Sequence, residues 1–476
     1  MNFLEDASLV ARHLDHYLTQ SQTRKKNVIR QQTIAQIHGT LDLAGHIEKG
    51  DLSGEKLNIF LKNYLEQTTQ IHHPGFFAHQ VGAPHPTGAL GSLVDGFTNN
   101  AMAIYEMGPG AAAIEFFMVN LVLSKIGWGP MPTLIEDRLG HDHGGGVLTH
   151  GGSLANLTAL LVARNRLDKG IRDNGNPSDL TLMVPDSSHY SVAKAAGIIG
   201  IGEKNLIHLE TNATGQVRPD RLEAAHDRAV KSGKRIVALV ANACSTGTGL
   251  YDPIDEMADF CREKGLWFHV DGAHGACVLF SDRYRNRLKG IAKADSLILD
   301  AHKMLRTPTV CAALMVREAR HLDLVFEQKA SYLFHDKTQP GFDFIQQTVE
   351  CTKAGLGLKF FLTMAAMGKK GMADYIDQTF DLAALAYDHI SQQPDFECPC
   401  PPQSNILCFR YDAPDEVQLK IRDMLIEEGQ FYISSTEINS QRYLRIVIIS
   451  PHTIPADIKA LVKAVRNAGQ YFKKKL

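Results

Sequence analysis

The stretch SLILDAHKML, residues 296–305, joins an apolar run to an aspartate, a histidine and a lysine. The apolar letters predict a buried strand, and Lys303 follows that strand almost directly. A lysine amine that loses its hydration is more readily neutral and nucleophilic. Taken alone, the stretch is more typical of a strand that ends in a charged loop. The rest of the chain decides between the two interpretations.

Short apolar runs of the same kind recur along the chain and alternate with amphipathic segments. They are GVLTH (146–150), LTLMVPD (180–186), RIVALVANA (235–243), LWFHVDGA (266–273) and CAALMVR (311–317). Strands that alternate with helices form a parallel sheet with crossover helices on both faces. The sequence therefore predicts an α/β fold. Three domains are expected: a helical segment at 1–85, a large α/β domain at 86–365 and a small C-terminal α+β domain at 366–476.

The composition is typical of a large globular protein. The chain has 476 residues, of which 44% are hydrophobic and 21% charged, and its formal net charge is -2. This balance gives no reason to expect nucleic acid or an anionic membrane as a partner. No apolar run reaches the length of about 18 residues that indicates a membrane span. The mixed charged and apolar start does not resemble a secretory signal, so a cytoplasmic protein is expected.

Cysteine and histidine spacing gives no indication of a metal site. The eight cysteines are scattered, and Cys398 and Cys400 lack the spacing of a CxxC pair. Buried free thiols are therefore expected, rather than disulfides or zinc ligands. The run HDHGGG (141–146) could hold a metal ion, but it is more typical of a flexible polar loop. No metal is predicted.

Small or reactive residues follow the predicted strands, at the edge where open α/β sheets bind ligands. Gly151, Gly152 and Ser153 open a helix whose backbone N–H groups favour phosphate, although a serine cap after a glycine turn is ordinary. Asp271 could hold a protonated ring nitrogen, or it could simply cap a helix. His189 could stack on a planar ligand, yet a lone histidine of this kind is more often structural.

Together with Lys303, these residues describe a single ligand. A phosphate cradle, a carboxylate for a ring nitrogen, a histidine that can stack and a nucleophilic amine fit a phosphorylated pyridine aldehyde held as an imine. That ligand is pyridoxal 5'-phosphate. The combination favours the functional interpretation of the opening stretch, with Lys303 as the imine-forming lysine.

The order of the motifs resembles that of the group II pyridoxal-phosphate-dependent amino-acid decarboxylases, which include the glutamate, aromatic amino-acid and cysteine sulfinate enzymes. The resemblance extends from HHPGFFAHQVGA (72–83) to RYLRIVIISP (442–451), and SHYS (188–191) is among its most specific signatures. It implies the type I, aspartate aminotransferase-like fold with a seven-stranded sheet. It also implies a homodimer whose active sites lie at the subunit interface.

Carried over residue by residue, the resemblance implies roles for particular side chains. Lys303 resembles the Schiff-base lysine, Asp271 the partner of the pyridine nitrogen and His189 the histidine stacked on the ring, and these three are the expected catalytic residues. His79 falls at a position that lines the substrate pocket, and Arg445 matches an arginine that binds the substrate carboxylate. The other expected cofactor-binding residues are Gly151, Gly152, Ser153, Thr246, Ala273 and His302.

Three departures from the family pattern affect the expected chemistry. The family often has Asn-Pro before its His-Lys pair, whereas this chain has Asp300 followed by alanine. Because an aspartate would repel phosphate, Asp300 is expected to point elsewhere. The usual GTT segment reads CST at 244–246. The loop at 334–347 lacks the tyrosine that protonates the carbanion in many members, so His335, His189 or water become the candidate proton donors.

The predicted reaction is the decarboxylation of an L-amino acid to its amine and carbon dioxide. Two alternatives stay open. One is another pyridoxal-phosphate reaction on the same fold, such as aldehyde synthesis, other carbon–carbon lyase chemistry or transamination. The other is a cofactor-binding protein without catalytic activity. The sequence does not determine which amino acid is the substrate.

Overall fold

The computed structural model describes residues 2–133, 142–326 and 341–475. The chain divides into two compact units. The terminal unit comprises Met1–Ala83, Asp381–Pro401 and Asn405–Leu476, and the central unit comprises Pro84–Phe380 and Pro402–Ser404. The predicted domain boundaries after residues 85 and 365 stay a prediction.

The α-helices of the described residues follow one another along the whole chain. They are α1 Phe3–Gln22, α2 Ile34–Leu41, α3 Leu43–Lys49, α4 Gly54–Glu66, α5 Pro86–Thr98, α6 Pro109–Ile126, α7 Gly152–Leu167, α8 Ile171–Asn174, α9 Tyr190–Ile198, α10 Leu222–Lys231, α11 Ile254–Lys264, α12 Arg320–Phe326, α13 Leu356–Ser391, α14 Asp415–Glu428 and α15 Pro455–Lys473. The long helix α13 is interrupted at Gly368, whose φ of 67° is not helical.

The central unit is built on a seven-stranded sheet. Its strands are β1 Gly145–Thr149, β2 Leu180–Pro185, β3 Leu206–Leu209, β4 Arg235–Asn242, β5 Trp267–Asp271, β6 Ser296–Asp300 and β7 Ala312–Val316. They lie in the order β1-β7-β6-β5-β4-β2-β3. Strand β7 is antiparallel to both of its neighbours, and the other pairs are parallel. The predicted, mainly parallel α/β sheet is confirmed. Strand β3, which is mostly unburied, was not predicted from the sequence.

The terminal unit contains a smaller, antiparallel sheet. Its strands are β8 Phe396–Glu397, β9 Ile406–Tyr411, β10 Ser434–Ile438 and β11 Gln441–Val447, in the order β10-β11-β9-β8. Apolar side chains of α14 and α15, such as Leu425, Leu461 and Val465, form one buried cluster with Phe409 and Leu444 of the strands. The α+β architecture predicted for the C-terminal part is therefore confirmed.

One described helix, α6, is long and apolar enough to cross a membrane by length and composition alone. A buried core helix meets the same two criteria, and α6 packs on β1 and β7 of the sheet. Its Glu115 is fully buried and is paired with Lys353, which is also buried. Glu115 Oε1 accepts the backbone N–H of Leu148 at 2.9 Å, and Lys353 Nζ donates to the Leu148 carbonyl at 2.6 Å. This ion pair fixes the last residues of β1, which lie just before Gly151 and Gly152.

All eight cysteines are free thiols, and five of them are buried, as predicted. Among the described residues, one group could offer three metal ligands: Glu223, His226 and Asp227 on α10. Both carboxylates are exposed, and exposed acidic groups of this kind are common without an ion. We derive no metal site from them.

Candidate active site

The carboxyl ends of five strands meet around one cavity of about 290 Å³ in the central unit. These strands are β1, β2, β4, β5 and β6. All nine residues expected to bind the cofactor line this cavity, and we call it the strand-end cavity: Gly151, Gly152, Ser153, His189, Thr246, Asp271, Ala273, His302 and Lys303. The structure thus brings the predicted set together, while the role of each member stays a prediction.

One wall of the strand-end cavity is the N-terminus of α7. The cap residue Gly151 has a φ of 108°, a left-handed region that favours glycine, and no side chain caps the helix. Among the described residues, the backbone N–H groups of Gly152 and Ser153 have no acceptor. A Cβ on Gly152 would lie 2.7 Å from Asp300 Oδ1, so a larger residue there would require the Asp300 side chain to move. Open N–H groups at the start of a 16-residue helix suit a phosphate.

Asp300 lies at this wall, and the expectation that it points elsewhere is wrong. The side chain is buried, lines the cavity and faces Gly152. Its Oδ2 lies 3.3 Å from Lys303 Nζ and 3.7 Å from His302 Nε2. Lys303 follows Asp300 by three residues, and the turn after β6 brings its ammonium group next to the Asp300 carboxylate. The two opposite charges attract each other. The other oxygen, Oδ1, has no hydrogen-bond partner among the described residues.

His302 is held by the backbone of the neighbouring strand. Its Nδ1 lies 2.9 Å from the carbonyl oxygen and 3.2 Å from the backbone nitrogen of Cys311, the residue before β7. Its side chain is 13% exposed, compared with 17% for that of Lys303. The lysine amine is therefore largely buried, as the sequence predicted, but it is paired with a carboxylate rather than surrounded by apolar groups.

Asp271 and His189 also line the cavity. Asp271 ends β5 and is 6% exposed, and its Oδ1 accepts the N–H of Ala273 at 3.1 Å. That contact closes the turn after β5 and does not cap the following helix, and the carboxylate also lines the cavity. His189 caps α9, where its ring accepts the N–H of Ser191. Burial lowers the pKa of His189, although the Asp271 carboxylate opposes the shift, so the ring is neutral near pH 7.

Three polar residues behind Asp271 were missed by the sequence reasoning. Asn156 on α7 donates to Asp271 Oδ2 at 2.9 Å, and His269 Nε2 lies 2.9 Å from Asn156 Oδ1. His269 Nδ1 lies 2.8 Å from the hydroxyl of Ser296. A histidine in the middle of a buried strand and an asparagine on the buried face of a helix were the available signals, because unpaired polar groups are costly there.

The two residues expected to bind the substrate lie together in the terminal unit. Arg445 on β11 is 6% exposed and donates to the Ala78 carbonyl and to Ser434 Oγ, each at 3.1 Å. His79 Nε2 lies 3.0 Å from the Tyr432 hydroxyl. Partial desolvation lowers the pKa of His79, and the Arg445 charge acts in the same direction. Their role toward a substrate stays a prediction.

The predicted proton donor His335 lies outside the described residues. The later part of that loop is described, and it contains two aromatic side chains whose ring centroids are 4.5 Å apart, Phe342 and Phe344. Phe344 is 1% exposed and belongs to the apolar core of the central unit. Its buried ring contributes packing there and offers no proton.

Comparison with known proteins identifies the family. Residues 57–412 match the pyridoxal-dependent decarboxylase conserved domain. The chain belongs to this family. It is therefore a pyridoxal-phosphate-dependent enzyme of the amino-acid decarboxylase, or carboxy-lyase, family.

Named relatives of this decarboxylase differ in their substrates. The chain is 30% identical over 424 residues to the L-aspartate decarboxylase dtxS4 of Metarhizium robertsii, covering 86% of this chain and 82% of that protein. It is 25% identical over 470 residues to an aromatic-L-amino-acid decarboxylase of Bacillus atrophaeus, covering 96% and 92%. The crystal structure of mouse CSAD superposes with a TM-score of 0.84 at 24% identity, covering 97% of this chain and 98% of that one, which shows the fold.

Proposed function

We propose that the protein converts an L-amino acid to its amine and carbon dioxide, with Lys303 as the residue that carries the cofactor. The observation that supports this most directly is the convergence of Lys303, Asp271 and His189 with the uncapped start of α7 in one cavity. An amine, a carboxylate, a flat neutral ring and a set of open N–H groups match the four parts of pyridoxal phosphate.

Each cavity residue has a proposed task. Gly151, Gly152 and Ser153 would hold the phosphate through backbone N–H groups, and His302 would lie beside it. Bound pyridoxal phosphate supplies an aldehyde that combines with the substrate amine and a ring that accepts the electrons of the breaking carbon–carbon bond.

Two carboxylates have different tasks in this proposal. Asp271 holds a proton on the pyridine nitrogen, because a carboxylate in a dry site favours a positive charge next to it. Asp300, 3.3 Å from Lys303 Nζ, keeps that amine at the cavity wall when the substrate has displaced it. Arg445 and His79 are proposed for the substrate on the resemblance of their motifs alone.

A second product is favoured by one feature of the sequence. The loop at 334–347 contains no tyrosine, so the group that delivers the proton in many relatives is missing. The remaining candidates are His335, the neutral ring of His189 and water. Slow protonation would leave time for oxygen to react, and the products would then be an aldehyde, ammonia, carbon dioxide and hydrogen peroxide.

A substrate panel distinguishes the two reactions. Purified holoenzyme is incubated with each common L-amino acid, including aspartate and the aromatic residues, with and without oxygen. Decarboxylation predicts one amine for each carbon dioxide and no dependence on oxygen. Aldehyde and hydrogen peroxide as the main products would replace this proposal with aldehyde synthesis. No carbon dioxide from any amino acid would reject both.

We also propose a homodimer with the active sites at the subunit interface. In the central unit, α5 exposes an apolar stripe at helical spacing: Leu90, Leu93, Val94 and Phe97, which are 59%, 53%, 46% and 67% exposed. Stripes of this kind on a single chain usually mark an interface. Light scattering should give twice the 52.5 kDa of one chain, and a monomer at micromolar concentration would contradict the proposal.

A further inference from the structure

We propose that Asn156 is the positioning residue that orients both Asp271 and His189, and that His269 and Ser296 lock Asn156 in the orientation this requires. The inference rests on the roles proposed above for Asp271 and His189. It concerns a continuous chain of hydrogen bonds that runs behind the strand-end cavity. The direction of each bond follows from the donor and acceptor chemistry of the side chains.

The carboxylate of Asp271 fixes the first direction. An ionised carboxylate only accepts hydrogen bonds, so the group that faces Asp271 Oδ2 at 2.9 Å must be the NH2 of Asn156. The second hydrogen of the same NH2 points to Ser191 Oγ, also at 2.9 Å. The amide oxygen of Asn156 must then face the other way, toward His269. Turning the amide over would place two oxygens against each other.

His269 fixes the amide oxygen. Burial lowers the pKa of His269 to about 4, so the ring is neutral near pH 7 and carries one N–H. That hydrogen must lie on Nε2, because Asn156 Oδ1 at 2.9 Å can only accept. His269 Nδ1 is therefore the acceptor for the hydroxyl of Ser296 at 2.8 Å. Ser296 Oγ in turn accepts the indole N–H of Trp267 at 2.9 Å, which prevents the hydroxyl from reversing.

The second branch reaches the ring of His189. Ser191 Oγ accepts from Asn156, so its own hydrogen is free to donate to His189 Nδ1 at 2.7 Å. The backbone N–H of Ser191 points to the same nitrogen at 3.3 Å. With Nδ1 occupied as an acceptor, the neutral ring of His189 carries its hydrogen on Nε2. Asn156 thereby reinforces the acceptor role of His189 Nδ1, which the Ser191 backbone N–H also favours, although Asn156 and His189 do not touch.

Burial makes this network rigid. Asn156 is 1% exposed, Ser191 2%, and His269 and Ser296 0%. In a dry interior an unpaired polar group is costly, and a fully satisfied network holds each member in place. Asn156 uses all three of its contacts, so removing its side chain leaves Asp271 Oδ2, His269 and Ser191 without their partner at once.

The test is a double-mutant cycle read through cofactor affinity and the visible absorption of the bound cofactor. Asn156→Ala should weaken pyridoxal-phosphate binding by roughly 10–100-fold, the range typical of residues that orient a ligand-binding side chain. The same change in an Asp271→Asn background should weaken binding less than it does in the wild-type background, because only the branch through Ser191 to His189 is left to lose. The absorption spectrum should shift in the first case and stay constant in the second.

Controls separate positioning from packing. Thr158→Val removes a buried hydroxyl on the same helix that bonds only to the Leu154 carbonyl, and it should change neither readout. Ser296→Ala nearly keeps the packing volume and removes the hydroxyl that contacts His269 Nδ1, together with the acceptor of the Trp267 indole N–H. It should weaken binding several-fold, and it tests the proposal even where Asn156→Ala does not fold.

The outcomes are distinct. Equal losses from Asn156→Ala in both backgrounds would mean that Asn156 acts by packing alone, and they would overturn this inference while leaving the proposed function intact. Wild-type cofactor affinity in Ser296→Ala would show that His269 and Ser296 do not hold the Asn156 amide in its orientation. An Asp271→Asn enzyme with unchanged affinity, spectrum and turnover would instead reject the proposed role of Asp271, and the positioning role with it.

Discussion

Replacing Lys303 with alanine should reduce kcat by about 10²–10⁴-fold or more, the range expected when a positioned acid–base group is lost. In our account the same amine also carries the cofactor, so its removal takes away two functions. The variant should still bind pyridoxal phosphate, because the open N–H groups of α7 and the Asp271 carboxylate are unchanged. The measurement is steady-state carbon dioxide release on the best substrate, together with the cofactor content after gel filtration.

Lys303→Arg is the matched variant for this test. A guanidinium keeps a positive charge beside Asp300 but cannot act as the amine nucleophile near neutral pH. Both variants should therefore be equally inactive. Activity within a few-fold of wild type in Lys303→Arg would show that the residue only neutralises Asp300.

The second large effect concerns stability. Lys353→Met should lower the free energy of unfolding of the central unit by about 3–5 kcal/mol, because it leaves a buried carboxylate without its counter-charge. Glu115 is fully buried, and burial already raises its pKa. A carboxyl whose folded pKa lies above its unfolded value loses stability as the pH rises. The effect of Lys353→Met should therefore be larger at pH 8 than at pH 5.

Urea unfolding followed by tryptophan fluorescence measures this effect. Both tryptophans of the chain, Trp128 and Trp267, are buried in the central unit and report on it directly. The double variant Glu115→Leu, Lys353→Met replaces the ion pair with an apolar pair and should recover most of the loss. A double variant as unstable as Lys353→Met would show that the cost comes from packing or from the lost hydrogen bonds to Leu148, and not from the unpaired charge.

Much of the fold and of the cavity could be predicted, because both depend on local patterns. A continuous apolar run such as LILD predicts a strand buried on both faces, and the alternation with helices makes the strands parallel. Parallel strands end at the same edge of a sheet. The convergence of Lys303, Asp271 and His189 could therefore be predicted although the loop conformations were unknown. The same reasoning did not predict β3, because only one of its four residues is buried.

The contacts around the cavity could not be predicted, because they depend on side-chain directions between distant segments. Asp300 was expected to avoid the phosphate wall on the basis of charge alone. In the fold, the turn to Lys303 supplies the opposite charge 3.3 Å away. Asn156 and His269 are 113 positions apart in sequence, and no periodicity predicts the hydrogen bond of 2.9 Å between them.

Borohydride reduction of the holoenzyme, followed by peptide mapping, tests whether Lys303 carries the cofactor. Borohydride fixes pyridoxal phosphate covalently to the amine that holds it. We expect a single modified peptide, with the added mass on Lys303 in the sequence DAHKML and none on the buried amines of Lys353 and Lys359. A cofactor found on any other lysine, or no modified peptide from protein that retains its visible absorption, would contradict the account.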